Sequence, residues 1–239
     1  MSLTPIYPRE EQIAELTRGQ RLPLAPLAET LLVFIAEMLR RAWDELLRRQ
    51  LATLVSGGET EVNTMMETRL NALLEEDELW SRLVRCVTRG TEEISYDGSH
   101  LEKRPDLSIH LTRRNPSFPL VVECKLLDAG SGKKTHRYCD DGLGRFVRGE
   151  YAWATREAFM LAYVRDGSTI LSHLKPFLAD SRMKQSDVYL TEALPASVGH
   201  SGMDLARSSH NRKFRYLGQP QNSPGSIAVW HLWISASAH

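Results

Sequence analysis

The segment LVVECKLL, residues 120–127, constrains the fold most, because it places a glutamate and a lysine inside an otherwise apolar β-strand. Its β-branched start is typical of a central strand that is buried on both faces. Side chains alternate across a strand, so Glu123 and Lys125 point to the same face. Burying unpaired charges costs several kcal/mol. The two charges therefore either serve a function or form an ordinary ion pair at the fraying end of an edge strand.

The hydrophobic pattern predicts helices and strands in alternation. Apolar residues recur every three or four positions over about 26–54 and 60–76, which predicts two amphipathic helices. The first helix could pack on the main domain or offer its apolar stripe to a second subunit. The remaining predictions are a turn at Gly98, a half-buried strand at 106–112, a hairpin connection at 113–119, a loop over 128–144, a helix over 145–164, another helix over 168–180, a strand near 188–194, a polar loop over 199–215 and a final strand over 226–235. This order predicts an α/β fold with a central mixed sheet flanked by helices.

Composition limits the classes of protein that remain. Thirty basic residues balance thirty acidic ones, so any attraction to phosphate must be local. Three cysteines without a CxxC pair fit small buried hydrophobes in a reducing cytosol. The N-terminus does not resemble a signal peptide, and Glu29 and Glu37 interrupt the longest apolar run. We therefore expect a cytoplasmic protein with no membrane association.

Asp106 provides a candidate partner for the two charges in the strand. It directly follows a proline at the mouth of the preceding strand, with 16 residues between it and Glu123. This spacing suits a hairpin, so the two carboxylates could approach each other at the ends of paired strands. Two carboxylates, a backbone carbonyl and waters suit Mg²⁺, which prefers hard oxygen ligands. Lys125 on the same face could activate a metal-bound water or neutralise charge in a phosphoryl-transfer transition state.

The pattern Pro105-Asp106 followed by Glu123-Cys124-Lys125 resembles the PD-(D/E)XK nuclease superfamily, which has the restriction-endonuclease-like fold. A glutamate two residues before a lysine is expected about once by chance in such a chain, so the context of Asp106 carries the resemblance. The resemblance implies a nuclease-like domain over residues 56–239, with an αβββαβ core over about 58–192, and residues 1–55 as an N-terminal helical extension. It also implies Asp106 and Glu123 as metal ligands, Lys125 as the catalytic lysine, and a helix glutamate that completes the metal site. Glu61 is preferred for that last role, with Glu59 and Glu67 as rivals.

A local basic surface is predicted beside the proposed metal site. Glycines before the helix predicted at 145 permit a tight turn whose amide groups could meet a phosphate. The candidate nucleic-acid-binding residues are Lys133, Lys134, Tyr138, Arg145, Arg148 and Tyr151. The competing interpretation is an ordinary charged and solvated helix face.

The resemblance implies an Mg²⁺-dependent nuclease that hydrolyses phosphodiester bonds in DNA, with Mn²⁺ as a substitute ion. Proteins that resemble this chain commonly act as the cutting component of bacterial defence against phage or foreign DNA, so we expect such a role by analogy. The N-terminal helix could bind a protein partner or a second subunit. One alternative is a catalytically inactive nuclease-fold module for nucleic-acid binding or complex assembly, and another is a nuclease directed at RNA.

Overall fold

The computed structural model describes residues 9–91, 95–96, 103–184, 186–199, 202–216, 219 and 221–236, so the turn predicted at Gly98 lies outside the described residues. The helices are α1 (Arg9–Leu16), α2 (Glu29–Ser56), α3 (Glu59–Glu76), α4 (Glu78–Leu83), α5 (Thr135–Tyr138), α6 (Gly144–Arg148) and α7 (Lys175–Met183). The strands are β1 (Val84–Thr88), β2 (Leu107–Leu111), β3 (Leu120–Leu127), β4 (Glu157–Val164), β5 (Thr191–Ser197), β6 (Asp204–His210) and β7 (Ile227–Ser235). Short π-helical turns cover Cys139–Leu143 and Ile170–Leu174.

The strands form one seven-stranded mixed sheet in the order β1-β2-β3-β4-β7-β6-β5. Strands β3, β4 and β7 run parallel at its centre, and the outer pairs are antiparallel. Helices α2 and α3 contribute to the hydrophobic cluster on one face, while α5 to α7 and their connections cover the other. The predicted α/β fold with a mixed sheet flanked by helices is confirmed. The segment LVVECKLL is β3, a central strand as predicted.

Helix α2 packs on the sheet and shares its hydrophobic core. Its buried side chains belong to the same cluster as those of β2, β3, β4 and β7. Trp43 stacks on Tyr163 of β4 with ring centroids 5.1 Å apart, and its indole N–H donates to the Ser235 carbonyl at 2.7 Å. The apolar stripe of α2 is therefore used within the chain, although a partner was an equal possibility from sequence. The boundary predicted between residues 55 and 56 falls at the end of this packed helix.

The helix predicted over 145–164 is wrong for most of its length. It consists of the short helix α6, an irregular connection and strand β4. Gly149 ends α6 with a φ of 74°, and a Cβ at this position would lie 2.6 Å from the ring of Phe214. The apolar run from Glu157 to Val164 is buried throughout, between β3 and β7. Periodicity alone does not distinguish such a doubly buried strand from a buried helix.

The loop predicted over 199–215 is also wrong, because it contains β6. Two of its polar residues, Ser208 and His210, are buried in a hydrogen-bonded chain that links the sheet to α5. The Ser208 hydroxyl lies 2.7 Å from a ring nitrogen of both His210 and His231, and the second ring nitrogen of His231 lies 2.8 Å from the Tyr138 hydroxyl. Burial lowers the pKa of His210 to about 4 and that of His231 well below its ordinary value, so both rings are neutral near pH 7.

None of the helices that the structure describes is both long and apolar enough to cross a membrane.

Acidification should destabilise the fold through His210. A histidine whose pKa is lowered in the folded state takes up protons more readily when the chain unfolds, so its stability contribution is complete above pH 6.5 and is lost as the pH falls towards 4. By itself, this shift lowers the free energy of unfolding by about 2 kcal/mol between pH 7 and pH 5. Urea unfolding at the two pH values should show a smaller fall for His210→Gln than for the parent. The exposed His136→Gln is the control, and an unchanged fall in His210→Gln would contradict the prediction.

Candidate metal and phosphodiester site

The candidate site forms where β3 loses its partner strand. Strand β2 pairs with β3 only from Leu120 to Val122, so the backbone of β3 beyond that point has a free edge towards β2. Two carboxylates take the place of the missing strand. The N–H of Cys124 donates to Asp106 Oδ2, and the N–H of Leu126 donates to Glu59 Oε2, each at 2.9 Å. Asp106 directly precedes β2 and Glu59 is the first residue of α3. The free edge thus brings acidic residues from two other elements against β3.

Lys125 lies at the centre of these acidic groups. Its ammonium donates to Glu123 Oε1 at 2.9 Å and to the Cys124 carbonyl at 2.8 Å. It also lies 3.5 Å from carboxylate oxygens of Asp106 and Glu59. Burial lowers the pKa of Lys125, but the nearby carboxylates raise it by a larger amount. The pKa of Lys125 therefore lies above its ordinary value. The amine is therefore a charged ammonium in this arrangement.

Glu123 is the most buried carboxylate of the site, with a side chain that is 0% exposed. Its Oε1 accepts from Lys125 and also from Arg145 at 2.8 Å, whereas its Oε2 is buried without a hydrogen-bond partner. Burial, followed by the negative charge of Asp106, raises the pKa of Glu123 to about 7 although both cations oppose the rise. The π-helical turn covers this side chain, since a Cβ at Gly142 would lie 3.6 Å from Glu123 Cγ.

Asp106 is held in place by a buried amide. Asn63 of α3 donates to Asp106 Oδ1 at 2.9 Å, and its carbonyl oxygen accepts from the Tyr163 hydroxyl at 2.9 Å. Asn63 and Tyr163 are both buried. Sequence analysis missed Asn63. The available signal was its spacing of four residues from Glu59, which places both on the same face of α3.

Of the three glutamates considered on α3, the structure brings Glu59 to the cluster. Glu61 is exposed and has no described contact to Asp106, Glu123 or Lys125. Glu67 lies 3.8 Å from Arg89 instead. The preference for Glu61 is therefore corrected to Glu59. Helix α3 begins at Glu59, and each residue turns the helix by about 100°, so Glu61 projects from a different face.

The candidate nucleic-acid-binding residues fall into separate environments. Arg145 is part of the cluster, and it also donates to the Tyr151 hydroxyl at 3.0 Å, which in turn donates to the Arg104 carbonyl. Arg148 is half-exposed and donates to Glu150 at 2.8 Å. Tyr138 and Tyr151 are both corrected, because they are buried in the hydrophobic cluster on the sheet face that α5 to α7 cover, and the Tyr138 hydroxyl lies 2.8 Å from His231.

Lys133 and Lys134 lie in the connection between β3 and α5, where Lys134 is exposed. The neighbouring Arg137 is exposed as well. This connection leaves the C-terminal end of β3, two residues or more beyond Lys125. Lys134 and Arg137 are therefore exposed basic side chains on the chain that follows the cluster, and the local basic surface stays a prediction.

The donor atoms of the cluster fit a hard divalent cation. A cation, the Lys125 ammonium, is already surrounded by oxygen atoms of Asp106, Glu123, Glu59 and Cys124. Carboxylate and carbonyl oxygens are the donors that Mg²⁺ prefers. The unpartnered Oε2 of Glu123 adds a donor that the protein itself leaves unused. Within the described ranges, however, no group of three or more His, Cys, Asp and Glu side chains is placed to hold a metal ion as it stands. The carboxylates are engaged by ammonium and guanidinium groups instead.

Comparisons of the chain with protein-family models, with curated proteins and with solved structures return no match.

Replacing Asn63 should destabilise the protein because it leaves buried polar groups unpaired. We expect Asn63→Leu to lower the free energy of unfolding by about 2–3 kcal/mol, since the Tyr163 hydroxyl and one oxygen of Asp106 both lose a partner. Tyr163→Phe in the same background should cost less than in the parent, because the hydroxyl it removes has already lost its hydrogen bond to Asn63. Urea unfolding of the two single variants and the double variant measures this coupling. Additive effects would contradict the proposed hydrogen-bond chain.

Proposed function

We propose that this protein is an Mg²⁺-dependent nuclease that hydrolyses phosphodiester bonds in DNA. The observation that carries the proposal is the convergence of Asp106, Glu123 and Glu59 on the ammonium of Lys125 at the free edge of β3. The element order supports it. From α3 to β4 the chain runs through helices, three antiparallel strands, short helices and a parallel strand, which is the αβββαβ order that the sequence resemblance implies.

Asp106, Glu123 and the Cys124 carbonyl would hold the metal, with Glu59 beside them. When bound, Mg²⁺ or its substitute Mn²⁺ supplies positive charge that polarises the phosphodiester and lowers the pKa of a water molecule. The carboxylates have the rigidity that such a site needs. Asp106 is fixed by Asn63 and by the Cys124 N–H, and Glu59 by the Leu126 N–H.

Lys125 and Arg145 supply the positive charge that belongs to the protein. The Lys125 ammonium is 13% exposed, and its 3.5 Å contacts to Asp106 and Glu59 are longer than its hydrogen bonds to Glu123 and the Cys124 carbonyl. In the proposed mechanism it moves from these carboxylates to a phosphate oxygen and stabilises the negative charge that develops there. Arg145 stays on Glu123 and favours the ionised form of that buried carboxyl, because a guanidinium is always charged.

The DNA backbone would be held by the side chains of Lys133, Lys134 and Arg148. Phosphate contacts of this kind position a substrate without reading its sequence. Our proposal therefore includes no sequence specificity. The defence role remains a prediction from the resemblance.

A second candidate function is a nuclease-fold module that binds nucleic acid or assembles a complex without catalysis. Lys125 and Arg145 already engage the acidic groups, and no metal-binding group of three or more such side chains stands ready among the described residues. Because these acidic groups are already paired with cations, the network favours the interpretation that the cluster only stabilises the fold. Metal-dependent cleavage distinguishes the two candidates.

Purified protein should nick or degrade DNA in Mg²⁺ and should stop when EDTA is added. Lys125→Ala should lower the cleavage rate by about 100-fold or more, because it removes the positive charge that stabilises the negative phosphate in the transition state. Lys125→Met, which keeps much of the side-chain length, provides a second variant if alanine disturbs the fold. The exposed Lys184→Ala is the control and should cleave like the parent. Cleavage by Lys125→Ala at the parent rate would end the proposal, and RNA of the same sequence tests the RNA-directed alternative.

The two glutamates at the start of α3 should differ in their effect on cleavage. We expect Glu59→Gln to lower the Mg²⁺-dependent rate by about tenfold or more, because it removes a negative charge that faces Lys125. The glutamine oxygen can still accept from the Leu126 N–H, so the fold should be retained. Glu61→Gln, two residues away and exposed, should cleave like the parent. Equal rates for the two variants, measured over a range of Mg²⁺ concentrations, would exclude Glu59 from the site.

A further inference from the structure

A cavity of about 220 Å³ lies beside the acidic cluster on the same sheet face as Glu123. Its walls are largely apolar and come from the β2–β3 hairpin and from the connection between α6 and β4. The residues that matter here are Ser108, Phe118, Val121, Ala152 and Trp153. An apolar cavity of about 150 Å³ is sufficient to bind benzene, so this space can hold a flat ring larger than that.

The strands fix the distance between this cavity and the cluster. Val121 lies two residues before Glu123 on the same face of β3, and Ser108 is its register partner on β2, two residues after Asp106. Two residues of a strand span about 6.5–7 Å. The connection after α6 makes the same link, because Ala152 follows Tyr151, whose hydroxyl accepts from Arg145. The cavity thus lies two strand residues away from Asp106 and Glu123, at the proposed phosphate site.

The chemistry of the cavity fits a nucleobase. Phe118 and Trp153 pack edge to face at its wall, with ring centroids 5.6 Å apart. Ser108 lines the cavity, and its hydroxyl makes no hydrogen bond to the part of the chain that the structure describes. This hydroxyl faces the cavity, and the edge of a base offers both donors and acceptors with which it can form a hydrogen bond. Aromatic walls bind bases of any sequence by stacking.

We propose that this cavity is a nucleobase subsite, which receives the unstacked base next to the phosphate held at Asp106, Glu123 and Lys125. The position of that phosphate rests on the proposed function. A base inside a duplex is stacked and paired, so it must leave the helix to enter such a cavity. The substrate class is therefore nucleic acid with an unpaired base, such as a single strand, an end or a bulge.

The test compares two strands that have the same phosphates but differ in their bases. Binding of a short oligothymidylate and of an abasic oligonucleotide of equal length is measured by fluorescence anisotropy in EDTA, where no cleavage interferes. The parent should bind the oligothymidylate about tenfold more tightly, which is the range expected for one stacked base. Ser108→Phe, which fills the cavity, should remove this preference and leave the abasic affinity unchanged. Ser108→Ala keeps the space and should retain most of the preference.

Thermal unfolding confirms that Ser108→Phe is folded, and the smaller Ser108→Val replaces it if it is not. The proposal is overturned if the parent binds both strands equally or not at all, or if folded Ser108→Phe keeps the preference. Cleavage of the oligothymidylate in Mg²⁺ is measured separately on the parent and on Lys125→Ala. Cleavage without base preference supports the nuclease and overturns the base subsite. Base preference without cleavage supports the base subsite and overturns the nuclease.

Discussion

The candidate site depends on strand β3 extending beyond the end of its pairing with β2. Because β2 pairs no further than Val122, the N–H groups of Cys124 and Leu126 face an edge with no strand to receive them. Buried backbone donors require acceptors, and here Asp106 and Glu59 provide them. The same two carboxylates then need positive charge nearby, which Lys125 supplies from the strand itself. A local end of strand pairing thus leads to an acidic cluster with a lysine at its centre.

The electrostatic balance of the cluster leaves an excess of negative charge. Three carboxylates, on Glu59, Asp106 and Glu123, face two cations, on Lys125 and Arg145. The consequence is visible at Glu123, where burial and the charge of Asp106 raise the pKa to about 7. A divalent ion would lower that pKa again, since an opposite charge favours the ionised carboxylate. In the structure, the Lys125 ammonium and the Arg145 guanidinium balance part of the negative charge of the cluster.

Local sequence rules predicted the centre of this arrangement and missed its surroundings. Alternation along β3 and the hairpin spacing of Asp106 were sufficient to bring Asp106, Glu123 and Lys125 together. The choice between Glu59 and Glu61 depends on which residue begins α3, and a shift of two residues turns a side chain by about 200°. Tyr138 and β4 were assigned wrongly for a shared reason: burial on both sides of the sheet is a property of tertiary packing, and polar or apolar runs alone do not reveal it.

The unpartnered oxygen of Glu123 is the feature that stability alone does not explain. The carboxylates of Asp106 and Glu59 accept hydrogen bonds from the backbone of β3, so a structural role accounts for them. Glu123 accepts no backbone hydrogen bond in the described contacts, lies fully buried, and leaves Oε2 unsatisfied. An apolar residue at this position would avoid the desolvation cost, and such replacements of buried ion pairs are often stabilising. A chain that keeps a carboxylate under these conditions gives up stability for a charge at one defined point. The binding or catalytic role that we propose for Glu123 would account for that exchange.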